Sequence, residues 1–327
     1  MPDTDRQGVV SHLETQTSLR GLDLSGLDLS GLSFSGADLE SCDLTGTNLS
    51  GSELSGAKLS GARLIGAQLV GAMLRNMDLD LIDFTSCDLT RADLRQSRFT
   101  SCSLRETRFS RCNLVRTSFA EVTLDAVDFS VANLTGAIFR SCRVVHCSFD
   151  DATLHETSFH RSRIDGSTFD GGRLRGTRFD GTPLAGVSWR GACFEDFDFS
   201  KVDLEGVCFA GARLDRVRFS TTVPAVSFDE AILDGVDLAA HDLRRCRFVG
   251  ARLERAELAG ADLRECDLTN VRLTGANLTG AKLDRADFTG ADLCGSSMKD
   301  CSLAGTRFVD CRFDRSNLFR ASFEETV

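Results

Sequence analysis

The sequence predicts an all-β fold, a parallel solenoid in which the chain turns a corner every five residues and four corners close one square coil. Three observations predict it. A leucine or phenylalanine recurs at every fifth position from Leu24 to Phe219, departing only at Val144, Ile164 and Trp189; it recurs again from Phe228 to Phe323, departing only at Met298. Two residues before each of these sits a small or thin residue such as Ala37, Cys42, Thr47, Ala57 or Ala62, with a polar one such as Asp43, Asn48 or Arg63 between. After each comes a polar residue and then, typically, glycine, as in Ser25-Gly26, Thr45-Gly46 and Thr279-Gly280.

A period of five fits neither ordinary element. On a helix at ~100° per residue, five steps leave the apolar residues spiralling around the axis with no common face. On a flat strand side chains alternate, so every second Leu or Phe would meet solvent. The small-polar-large triplet is instead a minimal in–out–in strand, and the pair that follows is turn chemistry, with glycine supplying backbone angles that a Cβ resists. Coils of 20 residues then stack as parallel strands about 4.8 Å apart, and the stack is the folding unit because no single repeat can bury its own leucine.

Along the chain, residues 1–20 lack the pattern but carry Val9, Val10 and Leu13, and the first coil has Leu22, Leu27 and Leu32 at the small position. This predicts an N-terminal cap over the open end of the stack, with a short helix near Ser11–Thr17. Residues 21–219 form the first run of repeats. Residues 220–227 hold a four-residue repeat, Thr221-Thr222-Val223-Pro224-Ala225, in which Val223 best fits the central slot and Pro224 fixes the corner. The regular pattern resumes over 228–325. Uninterrupted periodicity predicts one elongated rod of about 15 coils, roughly 70 Å long at the spacing of parallel strands. Every second central residue from Phe99 to Phe219 is aromatic, which places large rings on two opposite faces and smaller residues on the other two.

The triplets Ala37-Asp38-Leu39, Ala92-Asp93-Leu94, Ala132-Asn133-Leu134, Ala261-Asp262-Leu263, Ala276-Asn277-Leu278 and Ala291-Asp292-Leu293 fit A-(D/N)-L-X-X. With them the chain resembles the pentapeptide-repeat family over about residues 20–325. The resemblance implies a right-handed quadrilateral β-helix. Some members, fluoroquinolone-resistance proteins among them, are acidic, DNA-mimicking rods that bind type II topoisomerases and dimerise through their C-terminal ends. The resemblance therefore offers binding to DNA gyrase or topoisomerase IV, with protection from topoisomerase inhibitors and antibiotic resistance, as one expectation.

The net charge of −10 agrees with that expectation, but its distribution does not. An acidic first third, with Asp23, Asp28, Asp38 and Asp43, is followed by an arginine belt: Arg91, Arg95, Arg98, Arg105, Arg108, Arg111 and Arg116. The inserted loops of the fluoroquinolone-resistance branch are also missing, since the one irregularity is a deletion. The favoured expectation is a non-enzymatic adaptor or scaffold that presents these patches to an unidentified protein partner. Outward Ile65, Val70 and Met73, near Leu81, suit such contacts. Net charge and the lack of an exposed aromatic platform disfavour direct nucleic-acid binding.

Ten of the 13 cysteines occupy the small inward position, where they replace Ala, Ser or Thr, while Cys193, Cys208 and Cys294 point outward. This pattern, with the acidic start Met1-Pro2-Asp3-Thr4-Asp5 and no apolar run of membrane length, predicts a reduced cytoplasmic protein with no membrane association. No catalytic motif, cofactor site or metal site is evident; His155 and His160 lie near adjacent corners without a third ligand. Phe313, Phe319 and Phe323 close the last coil with only Glu324-Glu325-Thr326-Val327 after them, which predicts a sticky end and a homodimer joined there.

Overall fold

The computed structural model describes residues 3–184 and 186–324. They fall into two compact units, Met1–Thr168 with Thr177–Pro183, and Phe169–Gly176 with Leu184–Val327. Each unit is a β-solenoid of about 7 turns, traced by the parallel pairs Asp23↔Asp43 to Arg143↔Arg163 in the first and Cys193↔Arg173 to Asp292↔Arg312 in the second. The parallel-solenoid class expected from the sequence holds, and the turns are counted within each unit in place of the expected 15 coils. Pro183 sits where Arg143 and Arg163 donate their backbone N–H to the coil before, and a proline has no N–H to donate.

The pairing register confirms the square coil. Partners lie 20 residues apart, as in Leu79↔Phe99 and Phe119↔Phe139, so like positions of successive coils stack. In the first unit, β1 (Asp78–Asp80), β2 (Arg98–Thr100), β3 (Ser118–Ala120), β5 (Ile138–Arg140) and β7 (Ser158–His160) form a five-stranded parallel sheet on one face. On the face that follows, β4 (Thr123–Asp125), β6 (Arg143–Val145) and β8 (Arg163–Asp165) form a three-stranded one. In the second unit, β9 (Arg173–Arg175), β10 (Cys193–Glu195) and β11 (Arg213–Asp215) do the same. Most of the remaining triplets pair through single bridges, because two residues of each five are spent on the corner.

The N-terminal helix α1 spans Arg6–Glu14, earlier than the expected Ser11–Thr17. Asp5 sets its start, with a side chain that accepts the N–H of Gly8 at 2.8 Å. The segment copies the hydrogen bonds of a missing coil. The Asp3 N–H donates to the Asp23 carbonyl at 2.7 Å, and the Asp3 carboxylate accepts the Asp23 N–H at 2.6 Å. The Arg6 guanidinium donates to the carbonyls of Asp28 and Ser30. Leu19 is buried and donates its N–H to the Asp38 carbonyl, so the central slot is first filled one repeat before Leu24. The expected acidic tail, Glu325-Thr326-Val327, lies outside the described residues.

The short repeat is absorbed within the second unit. Cys208 pairs with Ser227 and Arg213 with Ile232, a spacing of 19 residues, and the regular step resumes at Ser227↔Arg247. Val223 takes the central slot, buried and bonded through its N–H to the Asp242 carbonyl.

Two side-chain rules hold the coils. Inward Ser, Thr and Cys donate to the carbonyl of a central residue one coil back: Thr47 to Leu24 at 2.8 Å, Cys87 to Leu64 at 2.6 Å, Cys112 to Leu89 at 2.7 Å and Thr157 to Leu134 at 2.8 Å. These cysteines are thus satisfied polar core residues, and burial pushes the Cys87 and Cys112 thiols up to about 12. Outward Asp and Asn accept the N–H two residues on, as in Asp83–Thr85 at 3.0 Å and Asn277–Thr279 at 3.1 Å, and so close the corner. In the core of the first unit, rings one coil apart stack face to face, Phe119–Phe139 at 4.7 Å and Phe139–Phe159 at 4.6 Å. Rings from opposite faces meet edge to face, Phe129–Phe139 at 5.9 Å and 87°.

Two tests follow from this packing. Phe139→Ala removes a fully buried ring from both contacts and is expected to destabilise the first unit by about 3–5 kcal/mol in urea unfolding; a loss within experimental error would contradict the ladder. For pH, hydrogen bonds from the Arg244 guanidinium hold Asp242 down at about 2, and Arg264 lowers Asp262 likewise. The unfolded chain, with Asp near ~3.9, binds these protons first. The stabilisation is therefore full above about pH 4, and the Asp242 part is lost as the pH falls through about 2, with Asp262 losing its part below pH ~4 as well. The thermal midpoint should drop across that window, and Asp242→Asn should flatten the drop.

Candidate interaction surface

The inward side of each coil is filled by the central residues and the small residues two before them, so any recognition chemistry lies on outward triplet positions and corners. The four aspartates singled out in the first third are committed to their own corners. Asp23, Asp28, Asp38 and Asp43 accept the backbone N–H of Ser25, Ser30, Glu40 and Thr45 at 2.9–3.2 Å. Hydrogen bonding from Ser25, Ser30 and Thr45 holds Asp23, Asp28 and Asp43 below the ordinary carboxylate value. Asp38 also accepts from Ser18 and faces Arg20 at 3.4 Å. These carboxylates serve the fold before any partner.

The arginine belt is not one patch. Seven arginines spread over little more than one 20-residue coil must wrap around it. Arg105 lies on the face of β4, Arg108 on the next face, Arg95 on the third and Arg98 on the sheet face of β2. Several are neutralised locally. Arg95 grips Asp93 through two hydrogen bonds of 2.8 and 2.9 Å. Arg105 lies 3.3 Å from Glu106, and Arg108 lies 3.9 Å from Asp88. Such exposed pairs contribute ~0–1 kcal/mol.

Arg91, Arg111 and Arg116 differ. They occupy the second corner position with φ of 62°, 58° and 58°, the left-handed region usual for glycine. Among the described residues their guanidinium groups have no ion pair or hydrogen bond. Arg91 and Arg111 stack on one corner; Arg116 stands on the next, its Cγ 3.3 Å from where a Cβ on Gly136 would sit. A cleft of about 470 Å³ follows that corner, lined by Arg75, Arg95, Gln96, Val115, Arg116 and Thr135. Arg75 and Arg95 there share the single carboxylate of Asp93.

The linear run omits Arg140 and Arg178, which fall on the same face as Arg98, and Arg161, which stands on the corner beside it. Only steps of 20 residues bring Arg140 and Arg178 there: Ser118↔Ile138, Ala120↔Arg140 and Ser158↔Arg178. The apolar group Ile65, Val70 and Met73 is half-buried and divided among three faces, whereas Leu81 is 63% exposed and Ile138 is 47% exposed. At the far end of the second unit, Phe313 is half-buried, Phe319 is 62% exposed and Phe323 is 52% exposed. Among the described residues no cluster of His, Cys, Asp and Glu could hold a metal ion, and no helix is long and apolar enough to cross a membrane.

The model of pentapeptide repeats matches in eight copies, covering residues 15–46, 38–76, 62–100, 184–220, 231–270, 261–300, 272–308 and 296–326, and that of a pentapeptide repeat region matches 92–169. The chain belongs to the pentapeptide-repeat family. Solved structures similar to this pentapeptide-repeat protein include HetL of the cyanobacterium Nostoc sp. strain PCC 7120, involved in heterocyst differentiation regulation (23% identity, 93% of this chain and 96% of that one, TM-score 0.25). They also include full-length QnrB1, a plasmid-mediated fluoroquinolone resistance protein (16% identity, 67% and 92%, TM-score 0.24). A third is Rfr23 of the cyanobacterium Cyanothece 51142 (17% identity, 44% and 88%, TM-score 0.25). A search of curated proteins returned no match.

The corner arginines give a direct test. An L-residue in the left-handed region costs roughly 1–2 kcal/mol, offset in part by the greater chain entropy of glycine. Arg111→Gly is therefore expected to raise stability by about 0.5–1 kcal/mol in urea unfolding. A destabilisation would mean that the guanidinium has an intramolecular role.

Proposed function

We propose that this pentapeptide-repeat protein is a non-enzymatic adaptor or scaffold that binds a protein partner through the outer surface of its coils. The observation that carries this reading is the occupancy of the corners. Arg91, Arg111 and Arg116 hold backbone positions where glycine relieves strain, and their charges meet no carboxylate within the described chain. Side chains that cost stability and serve no internal contact are characteristic of binding surfaces. The 13 free thiols, most of them buried, support a reducing cytoplasmic setting. Exposed Phe319 and Phe323 beside Phe313 support pairing of two copies through the last coil.

A second reading, a DNA-mimicking binder of gyrase or topoisomerase IV, draws on the net charge of −10 and on outward carboxylates stacked as Asp23↔Asp43. Two measurements separate the readings. A photo-cross-linking residue placed at outward Ser118 or Ser297 in the producing cells should give discrete protein adducts; none at any outward position would refute a binding role. Purified protein should leave gyrase supercoiling unchanged at micromolar concentration. Inhibition that weakens with added salt would instead favour the topoisomerase reading.

A further inference from the structure

We propose that the five-stranded face of the first unit, β1–β2–β3–β5–β7, is the docking surface, and that its partner is a protein segment carrying carboxylates around an apolar contact. The inference rests on the protein-binding reading above and names the site and partner chemistry for it.

The stacking register builds this face from two outward columns. One runs Asp78, Arg98, Ser118, Ile138, Ser158, Arg178, and the other runs Asp80, Thr100, Ala120, Arg140, His160. The centre is small and uncharged, formed by Thr100, Ser118, Ala120 and Ser158 around exposed Ile138. Arg98 and Arg178 bracket it four strands apart, roughly 19 Å at parallel-strand spacing. Arg140 lies beside it, and Arg116 and Arg161 stand on the two flanking corners with φ of 58° and 50°. Among the described residues none of these five guanidinium groups makes an ion pair or hydrogen bond. On the neighbouring faces, by contrast, Arg95, Arg105 and Arg163 reach Asp93, Glu106 and Asp165.

An uncharged centre with one exposed aliphatic residue and a charged rim has the anatomy of a protein interface. Unpaired guanidinium groups on that rim complement carboxylates, which they can bind bidentately. The cleft along Arg95, Val115 and Arg116 continues the surface past its corner and lets a segment run on from the sheet. A nucleic acid fits less well. Asp78, Asp80, Glu121 and Glu156 interrupt the basic field, and among the described residues of this unit no Phe, Tyr or Trp side chain is exposed for base stacking.

The test is fluorescence anisotropy with the full chain and a labelled synthetic peptide of repeating Glu-Ser-Ile-Glu units. A Gln-Ser-Ile-Gln peptide and a labelled DNA duplex serve as comparisons. Wild-type protein should bind the glutamate peptide in preference to both, with affinity falling as salt rises. Arg98→Glu/Arg140→Glu/Arg178→Glu should weaken binding by at least about tenfold, while Arg105→Glu/Arg108→Glu/Arg163→Glu, on the other faces, should change it less than about twofold. The milder Arg98→Gln/Arg140→Gln/Arg178→Gln set and Ile138→Ser, each checked for an unchanged unfolding midpoint, guard against a folding defect and should still weaken binding. Equal losses from the two charge swaps, tighter binding of the duplex, or no binding of the glutamate peptide would overturn the proposal. In the last case, adducts from the cross-linking experiment would leave the broader protein-binding reading intact.

Discussion

The rest of the structure depends on the parallel hydrogen-bond ladder between coils. Each triplet lends its N–H and carbonyl groups to the triplet 20 residues away, as Leu44 does to Arg63 and Asp43 does to Leu22. The ladder fixes the stacking distance near ~4.8 Å and aligns like positions in columns. Once columns exist, each position has a constant environment, and a residue suits the protein only if it suits stacking on copies of its own kind. Phe119 over Phe139 is one result; Thr47 reaching back to Leu24 is another.

The constraint also explains how polar groups are satisfied so close to the core. A coil five residues wide per side has little interior, and most inward Ser, Thr and Cys are tolerated because a carbonyl of the previous coil stands within reach. Many outward aspartates, Asp23 and Asp43 among them, each close their own corner. Their charge is a consequence of turn chemistry first, and the acidic first third of the chain is built largely from this requirement. The N-terminal segment obeys the ladder from outside it: Asp3 and Arg6 stand in for backbone groups that a preceding coil would supply.

Corners are where the ladder is most permissive. The second corner residue must be left-handed, and glycine holds the position throughout the first coils, from Gly21 to Gly36. From Asn76 to Arg161 other residues accept the strain at nearly every corner. That stretch overlaps the one where guanidinium groups lack intramolecular partners, so the two departures from local preference coincide on the first unit. Coincident departures of this kind mark the places where a sequence answers to something besides its own fold.

The sequence by itself determined the class of fold, the central residues, the inward small positions and the four-residue repeat, because a strict period of five leaves one way to bury every Leu and Phe together. It located Val223 in its slot and explained ten inward cysteines. It misplaced the N-terminal helix: the Asp5 cap on Gly8 is a local signal, but the Arg6 contacts with Asp28 and Ser30 that hold the helix on the coil are not. The arginines show the larger gap. Arg91 to Arg116 read as one belt along the chain but wrap around a coil, whereas Arg98, Arg140 and Arg178 lie far apart in sequence and share a face. The 20-residue coil read from the sequence already implies this sorting into faces, and the tertiary structure supplied the register that fixes it. It also decided which arginines find a carboxylate and which do not, because that depends on rotamers and reach across the stack.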